Sequence, residues 1–98
     1  MSGQDPTTTA GAVVPERVGV LGGGRMGAGI AHAFLLAGSQ VVVVERDETA
    51  AGAAGERIRT SLRRSVERGS TERPIAALEG ALETSIDAAV FADAGLVI

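Results

Sequence analysis

The chain contains no cysteine, tryptophan, tyrosine or lysine, and only two phenylalanines among its 98 residues. Without cysteine it can form no disulfide, thiolate metal site or cysteine nucleophile. The scarcity of aromatic residues and the net charge of −3 argue against a nucleic-acid surface. No apolar run approaches the roughly 20 residues that span a bilayer, and the first residues do not resemble a signal peptide. We therefore expect no nucleic-acid partner and no membrane partner, and a cytoplasmic location by default.

Hydrophobic residues make up 45% of the chain, and most of them are alanine and valine. Such small side chains suit the close packing of helices on a sheet. Residues 1–15 are polar and rich in threonine, so we predict a disordered leader there. We expect residues 16–98 to form the folded domain.

Short apolar runs alternate with segments of helical periodicity along the rest of the chain. The sequence predicts strands at residues 17–21, 41–44, 82–86 and from Leu96, with helices at residues 26–37, 47–68 and 75–82 and a helical turn after Asp87. This order predicts an α/β fold, a Rossmann-type parallel sheet with right-handed helical crossovers. Because the chain ends within the last apolar run, we expect the sheet to be incomplete at its C terminus.

The two longer helices show distinct faces on a helical wheel. An apolar stripe recurs in the first helix at Met26, Ile30, Ala33, Phe34 and Ala37. In the second helix, one face carries Ala51, Gly55, Ile58 and Leu62, and another, about 120° away by the 100° step per residue, carries Arg57, Ser61, Arg64 and Arg68.

A glycine-rich segment separates the first strand from the first helix. Gly22, Gly24 and Gly27 satisfy the pattern G-x-G-x-x-G, with Gly23 between the first two. In this setting the glycines allow a tight turn, close approach of a pyrophosphate and close packing of the helix. The backbone amides near Arg25 and Met26 are then our candidates for contacting the pyrophosphate, because a helix N-terminus favours an anion.

An acidic residue follows the second strand at the expected distance. Glu45 lies eighteen residues after Gly27, where its carboxylate can accept hydrogen bonds from the adenosine ribose hydroxyls. The same carboxylate would repel a 2′-phosphate, which favours NAD over NADP. Arg46 leaves the alternative open, because a guanidinium can bind a 2′-phosphate or stack on adenine.

Two segments together resemble a known family. Residues 18–38, VGVLGGGRMGAGIAHAFLLAG, and residues 41–47, VVVVERD, look like the N-terminal domain of 3-hydroxyacyl-CoA dehydrogenases, and most like the members acting on 3-hydroxybutyryl-CoA. The resemblance covers most of the chain after the leader. It implies that residues 22–27 hold the NAD pyrophosphate and that Glu45, where the family usually has aspartate, holds the ribose.

The resemblance also implies an acyl-CoA substrate, oxidised reversibly at its 3-hydroxyl group by hydride transfer to NAD. The positions of this chain that match the family's acyl-CoA contacts are Ser61 and Arg68. The arginine stripe is equally consistent with a site for CoA phosphates and with an ordinary solvated helix face. The catalytic His–Glu pair of the family falls after Ile98. We therefore expect this chain to contain no catalytic residue, to bind NAD weakly or not at all, and to be inactive alone, as a fragment of an enzyme that forms homodimers.

Other candidate sites are weak. His32 is the only histidine, and the wheel places it opposite Met26, Ile30 and Ala33, as a surface or supporting residue rather than a base. No grouping of acids and histidine predicts a metal site. Two alternatives to the dehydrogenase remain, namely a non-catalytic NAD-binding module and a relative that oxidises another hydroxy acid or a sugar acid.

Overall fold

The computed structural model describes residues 15–22 and 24–98. Four strands form the sheet, and we number them in chain order: β1 (Arg17–Leu21), β2 (Gln40–Val44), β3 (Leu82–Ser85) and β4 (Leu96–Val97). Three α-helices connect them: α1 (Arg25–Ala37), α2 (Glu48–Glu67) and α3 (Ile75–Gly80). A 3₁₀ helix, Ala88–Asp93, precedes β4. The predicted order of elements is confirmed.

The strands are all parallel and lie in the order β3-β2-β1-β4. The chain therefore builds outward from β1 through β2 to β3 and then returns to the other side of β1. This reversal is the arrangement of a Rossmann-type sheet, as the sequence predicts. It leaves a topological switch point at the carboxyl ends of β1 and β4.

Local sequence sets the ends of the helices. Gly38 adopts a left-handed conformation with φ of 105° and ends α1. Asp47 begins α2, and its side chain accepts a hydrogen bond of 2.8 Å from the amide of Ala50. Asp87 caps the 3₁₀ helix in the same way through the amide of Ala89.

The sheet has one face toward the α-helices and another toward the 3₁₀ helix. Val18, Val20, Val41 and Val43 pack in the core with residues of all three α-helices. Alternate strand residues face the other way, and there the backbone of Gly19 approaches the ring of Phe91 so closely that a Cβ would lie 2.5 Å from Cδ1. Gly19 thus admits the 3₁₀ helix against the second face.

The predicted apolar face of α2 is buried. Ala51, Gly55, Ile58 and Leu62 are all buried, and their spacing places them on one side of the helix. Ile58 and Leu62 are completely inaccessible.

The predicted apolar face of α1 is wrong in part. Met26 is 80% exposed, and Ala33 and Ala37 are exposed as well. The buried residues are instead Ala28, Ala31 and Leu35. Met26 is two positions from Ala28, which places it on nearly the opposite side of the helix from the buried residues.

Pro15, the last residue of the predicted leader, contacts the folded unit. The carbonyl oxygen of Pro15 accepts a hydrogen bond of 2.6 Å from Ser39 Oγ, and the hydroxyl-bearing residue Ser39 is buried. Pro15 therefore belongs to the folded unit, while the rest of the predicted leader lies outside the described residues. Within residues 15–22 and 24–98, no helix has the length and apolarity needed to cross a membrane.

Truncation of Leu62 tests the packing of α2 on the sheet. We expect Leu62→Ala to lower the free energy of unfolding by about 2–5 kcal/mol, because it removes a buried side chain and leaves a cavity. Ile86, which is 48% exposed, provides the control, and Ile86→Ala should change stability by only about 0.5 kcal/mol. Urea denaturation followed by circular dichroism measures both, and equal losses would contradict the assigned core.

Candidate cofactor-binding site

The predicted site residues lie at the carboxyl edge of the sheet. The amide of Gly22 donates to the carbonyl of Val44 at 2.9 Å, so the turn after β1 lies beside the end of β2. The amide of Glu45 donates to the carbonyl of Ser85 at 2.8 Å, which continues the ladder to β3. Since parallel strands end at the same edge, residues distant in sequence meet at the switch point.

The glycine turn depends on two positions. Gly22 has φ of 84°, a left-handed conformation that favours glycine. A Cβ on Gly27 would collide with the carbonyl oxygen of Gly22 and would crowd Val20 Cγ1 at 3.4 Å. Gly27 therefore lets the first turn of α1 lie directly on the loop that leaves β1, as the motif predicts.

The second motif glycine faces open space. Gly24 begins α1 with an extended backbone, and a Cβ there would meet no atom within 4 Å. The first intrahelical bond runs from the amide of Ala28 to the carbonyl of Gly24 at 2.7 Å. The amides of Arg25 and Met26 precede that bond and have no carbonyl of the helix to reach. Gly23 lies outside the described residues.

Glu45 shares a cleft with the glycine loop. This cleft of about 370 Å³ is lined by Gly22, Gly24, Glu45, Arg46, Ala50, Ala53 and Arg57. The side chain of Arg46 is 83% exposed and lies 3.7 Å from a carboxylate oxygen of Asp47. The N-terminus of α1, with its positive dipole end, thus lies at one side of the cleft. Acidic and basic side chains lie at the other side.

The structure divides the predicted arginine stripe of α2 between two clefts. Arg57 lines the cleft beside Glu45. Arg64 and Arg68 line a second cleft of about 190 Å³ together with Gly29, His32 and Ser61. Ser61 and Arg68 are therefore brought together as the sequence predicts, whereas Arg57 belongs to the other site. The wheel misses this division because it shows direction around the helix and not distance along it, and Arg57 and Arg68 are about three turns apart.

His32 lies at the junction of α1 and α2. Its Nε2 atom is 2.8 Å from Ser65 Oγ, and Ser65 is completely buried. Arg68 also donates to this hydroxyl oxygen, at 3.4 Å. His32 faces α2 and contacts Ser65 there. Sequence reasoning missed its place beside Ser61 and Arg68, since that place depends on how the two helices cross.

The chain matches known proteins over this same region. A family model described as "3-hydroxyacyl-CoA dehydrogenase, NAD binding domain" matches residues 17–98. The chain belongs to this family. NAD is accordingly the cofactor of the domain.

Similar proteins include dehydrogenases from a mammal and a bacterium. The mitochondrial hydroxyacyl-coenzyme A dehydrogenase of Rattus norvegicus is 39% identical over 83 residues, covering 79% of this chain and 26% of that protein. A 3-hydroxybutyryl-CoA dehydrogenase of Mycobacterium tuberculosis is 42% identical over 84 residues, covering 85% of this chain and 29% of that protein. The crystal structure of M. tuberculosis FadB2 has a TM-score of 0.77 at 40% identity, covering 87% of this chain and 30% of that one. The chain thus spans less than a third of the length of these family members.

Substitution of Gly27 tests the contact between the turn and α1. We expect Gly27→Ala to destabilise the domain by about 1–3 kcal/mol, since its Cβ meets backbone that cannot move aside freely. Gly52 is a matched control, because it lies within α2 and a Cβ there would meet nothing within 4 Å. Gly52→Ala should stabilise the helix by about 0.5–1 kcal/mol. Thermal unfolding compares the two, and a neutral Gly27→Ala would contradict the close packing.

Proposed function

We propose that residues 15–98 hold the adenosine and pyrophosphate groups of NAD in an oxidoreductase that interconverts 3-hydroxyacyl-CoA and 3-ketoacyl-CoA. The observation that carries this proposal is the shared cleft, in which the turn at Gly22, the N-terminus of α1 and Glu45 meet. NAD accepts or supplies the hydride when bound. The residues of this chain bind and orient it.

Each site residue has a proposed part in holding the cofactor. The motif glycines, including Gly23, admit the pyrophosphate close to the backbone, and the amides of Arg25 and Met26 donate to it. The carboxylate of Glu45 accepts hydrogen bonds from the ribose hydroxyls and opposes a 2′-phosphate. Arg46, next to it at the mouth of the cleft, contributes a positive charge near the adenosine.

The second cleft is the proposed contact with the acyl-CoA substrate. Ser61 and Arg68 face it, and the structure adds Arg64 and His32 to its lining. Two guanidinium groups suit the phosphates of CoA, for which arginine is well adapted. The hydrogen-bonded pair of His32 and Ser65 holds α1 and α2 together at the base of this cleft.

We propose that the catalytic groups of the complete enzyme lie outside this chain. His32 is the only imidazole of the chain and already contacts Ser65, so we propose that no residue of this chain performs proton transfer. We further propose that the complete enzyme is a homodimer. We place it in the cytoplasm, where NAD and CoA are available, although the rat relative is named as mitochondrial.

Experiments on the isolated chain test whether it binds NAD⁺ without catalysing the reaction. We expect NAD⁺ to bind weakly, with a dissociation constant on the order of millimolar, because the proposed contacts involve only the adenosine and pyrophosphate groups. Titration of the ¹⁵N-labelled chain should shift amide resonances at residues 22–27 and at Glu45. The same chain should not oxidise 3-hydroxybutyryl-CoA. Measurable turnover by the purified chain would contradict the proposal.

A chimera tests the activity of the complete enzyme. Residues 17–98 would replace the corresponding segment of the M. tuberculosis 3-hydroxybutyryl-CoA dehydrogenase, to which this chain is 42% identical over 84 residues. We expect the chimera to oxidise 3-hydroxybutyryl-CoA with NAD⁺, and Gly27→Ala within it to abolish this oxidation. A folded chimera that binds NADH but leaves the substrate unchanged would favour a non-catalytic module.

The acyl-CoA cleft has its own test. In the isolated chain we expect Arg68→Gln to weaken binding of CoA about tenfold and to leave NAD⁺ binding unchanged, because it removes a charge-assisted hydrogen bond. Arg63→Gln is the matched control, since Arg63 lies on the same helix but pairs with Glu79 at 3.2 Å. Equal effects of the two substitutions on CoA binding would refute a specific contact at Arg68.

A further inference from the structure

Three charged side chains come together at the adenosine side of the cofactor cleft. Glu45 and Arg46 follow β2, and Arg57 comes from the third turn of α2. The sequence alone groups Arg57 with Arg64 and Arg68, but the structure places it with Glu45. The cleft therefore has two guanidinium groups and one carboxylate where the ribose of a dinucleotide is proposed to bind.

We propose that Arg57, together with Arg46, forms a subsite for a 2′-phosphate that the carboxylate of Glu45 keeps closed. The ligand class is an adenine dinucleotide phosphorylated on the adenosine ribose. Arg57 is then a specificity-determining residue, and a single neutral substitution of Glu45 converts the NAD site into one that accepts NADP. This inference rests on the proposed role of Glu45 at the ribose.

The geometry of α2 supports a role for Arg57 at this position. Ala50, Ala53 and Arg57 follow one another at intervals of three and four residues, which places them along one face of the helix. All three line the cleft, and the two alanines leave room beside the glycine turn. The small residues near the start of α2 thus leave open space in the cleft that Arg57 also lines.

The charges around the cleft explain how the carboxylate of Glu45 can decide between NAD and NADP. A 2′-phosphate carries about −1.5 to −2 charges and binds strongly to arginine. Arg46 is paired only loosely with Asp47, at 3.7 Å in an exposed setting, and such a pair exchanges readily for a phosphate. Glu45 adds a like charge at the same place and disfavours the phosphorylated ribose.

Nuclear magnetic resonance titration of the ¹⁵N-labelled full chain with NAD⁺ and NADP⁺ tests this inference. We expect Glu45→Gln to raise the affinity for NADP⁺ relative to NAD⁺ about tenfold. In that background Arg57→Gln should lower the affinity for NADP⁺ about tenfold and leave the affinity for NAD⁺ within about twofold. Arg57→Lys should retain most of the gain because it keeps the positive charge.

Arg63→Gln in the same background is the matched control, since it removes one positive charge from α2 outside both clefts. It should leave the NADP⁺ preference unchanged, and the dispersion of the amide spectrum shows that each variant is folded. If Glu45→Gln gains no NADP⁺ affinity while NAD⁺ still binds, or if Arg57→Gln has no more effect than Arg63→Gln, the subsite is refuted. If neither nucleotide shifts any resonance at residues 22–27, the proposed cofactor site itself is wrong.

Discussion

The contact between the turn after β1 and the first turn of α1 is the constraint on which the site depends. Gly22 turns the chain in a left-handed conformation, and Gly27 has no Cβ to strike the carbonyl oxygen of Gly22. The start of α1 can therefore lie directly above the end of β1. This position directs the unpaired amides of the helix toward the space that Gly24 leaves open.

The same close approach determines how the rest of the domain packs. Because α1 lies low on the sheet, its most buried side consists of Ala28, Ala31 and Leu35, while Ile30, Phe34 and Leu36 pack at the edge of the core. Helix α2 then packs beside it, with His32 and the buried Ser65 joined across the junction. The two clefts are separate consequences of this packing: one lies where α2 begins near β2, and the other lies between α1 and the later turns of α2.

The family match assigns these features to an NAD-binding domain. The chain is an NAD-binding domain of the 3-hydroxyacyl-CoA dehydrogenase family, and it covers less than a third of the relatives compared above. Its cofactor cleft combines the glycine turn and the acidic residue after β2 with two arginines, Arg46 and Arg57. Arg57 lines this cleft with Glu45 and Arg46, which is the observation behind the proposed 2′-phosphate subsite.

The sequence by itself determined the order of the elements, the glycine turn, the acid after β2 and the buried face of α2. These follow from local causes, namely the periodicity of side chains, the caps at Asp47 and Asp87, and the steric freedom of glycine. Only the tertiary structure decided which side of α1 is buried, where His32 points and how the arginines of α2 divide. Those features depend on the distance and crossing of α1 and α2, which no single helix specifies in its own sequence.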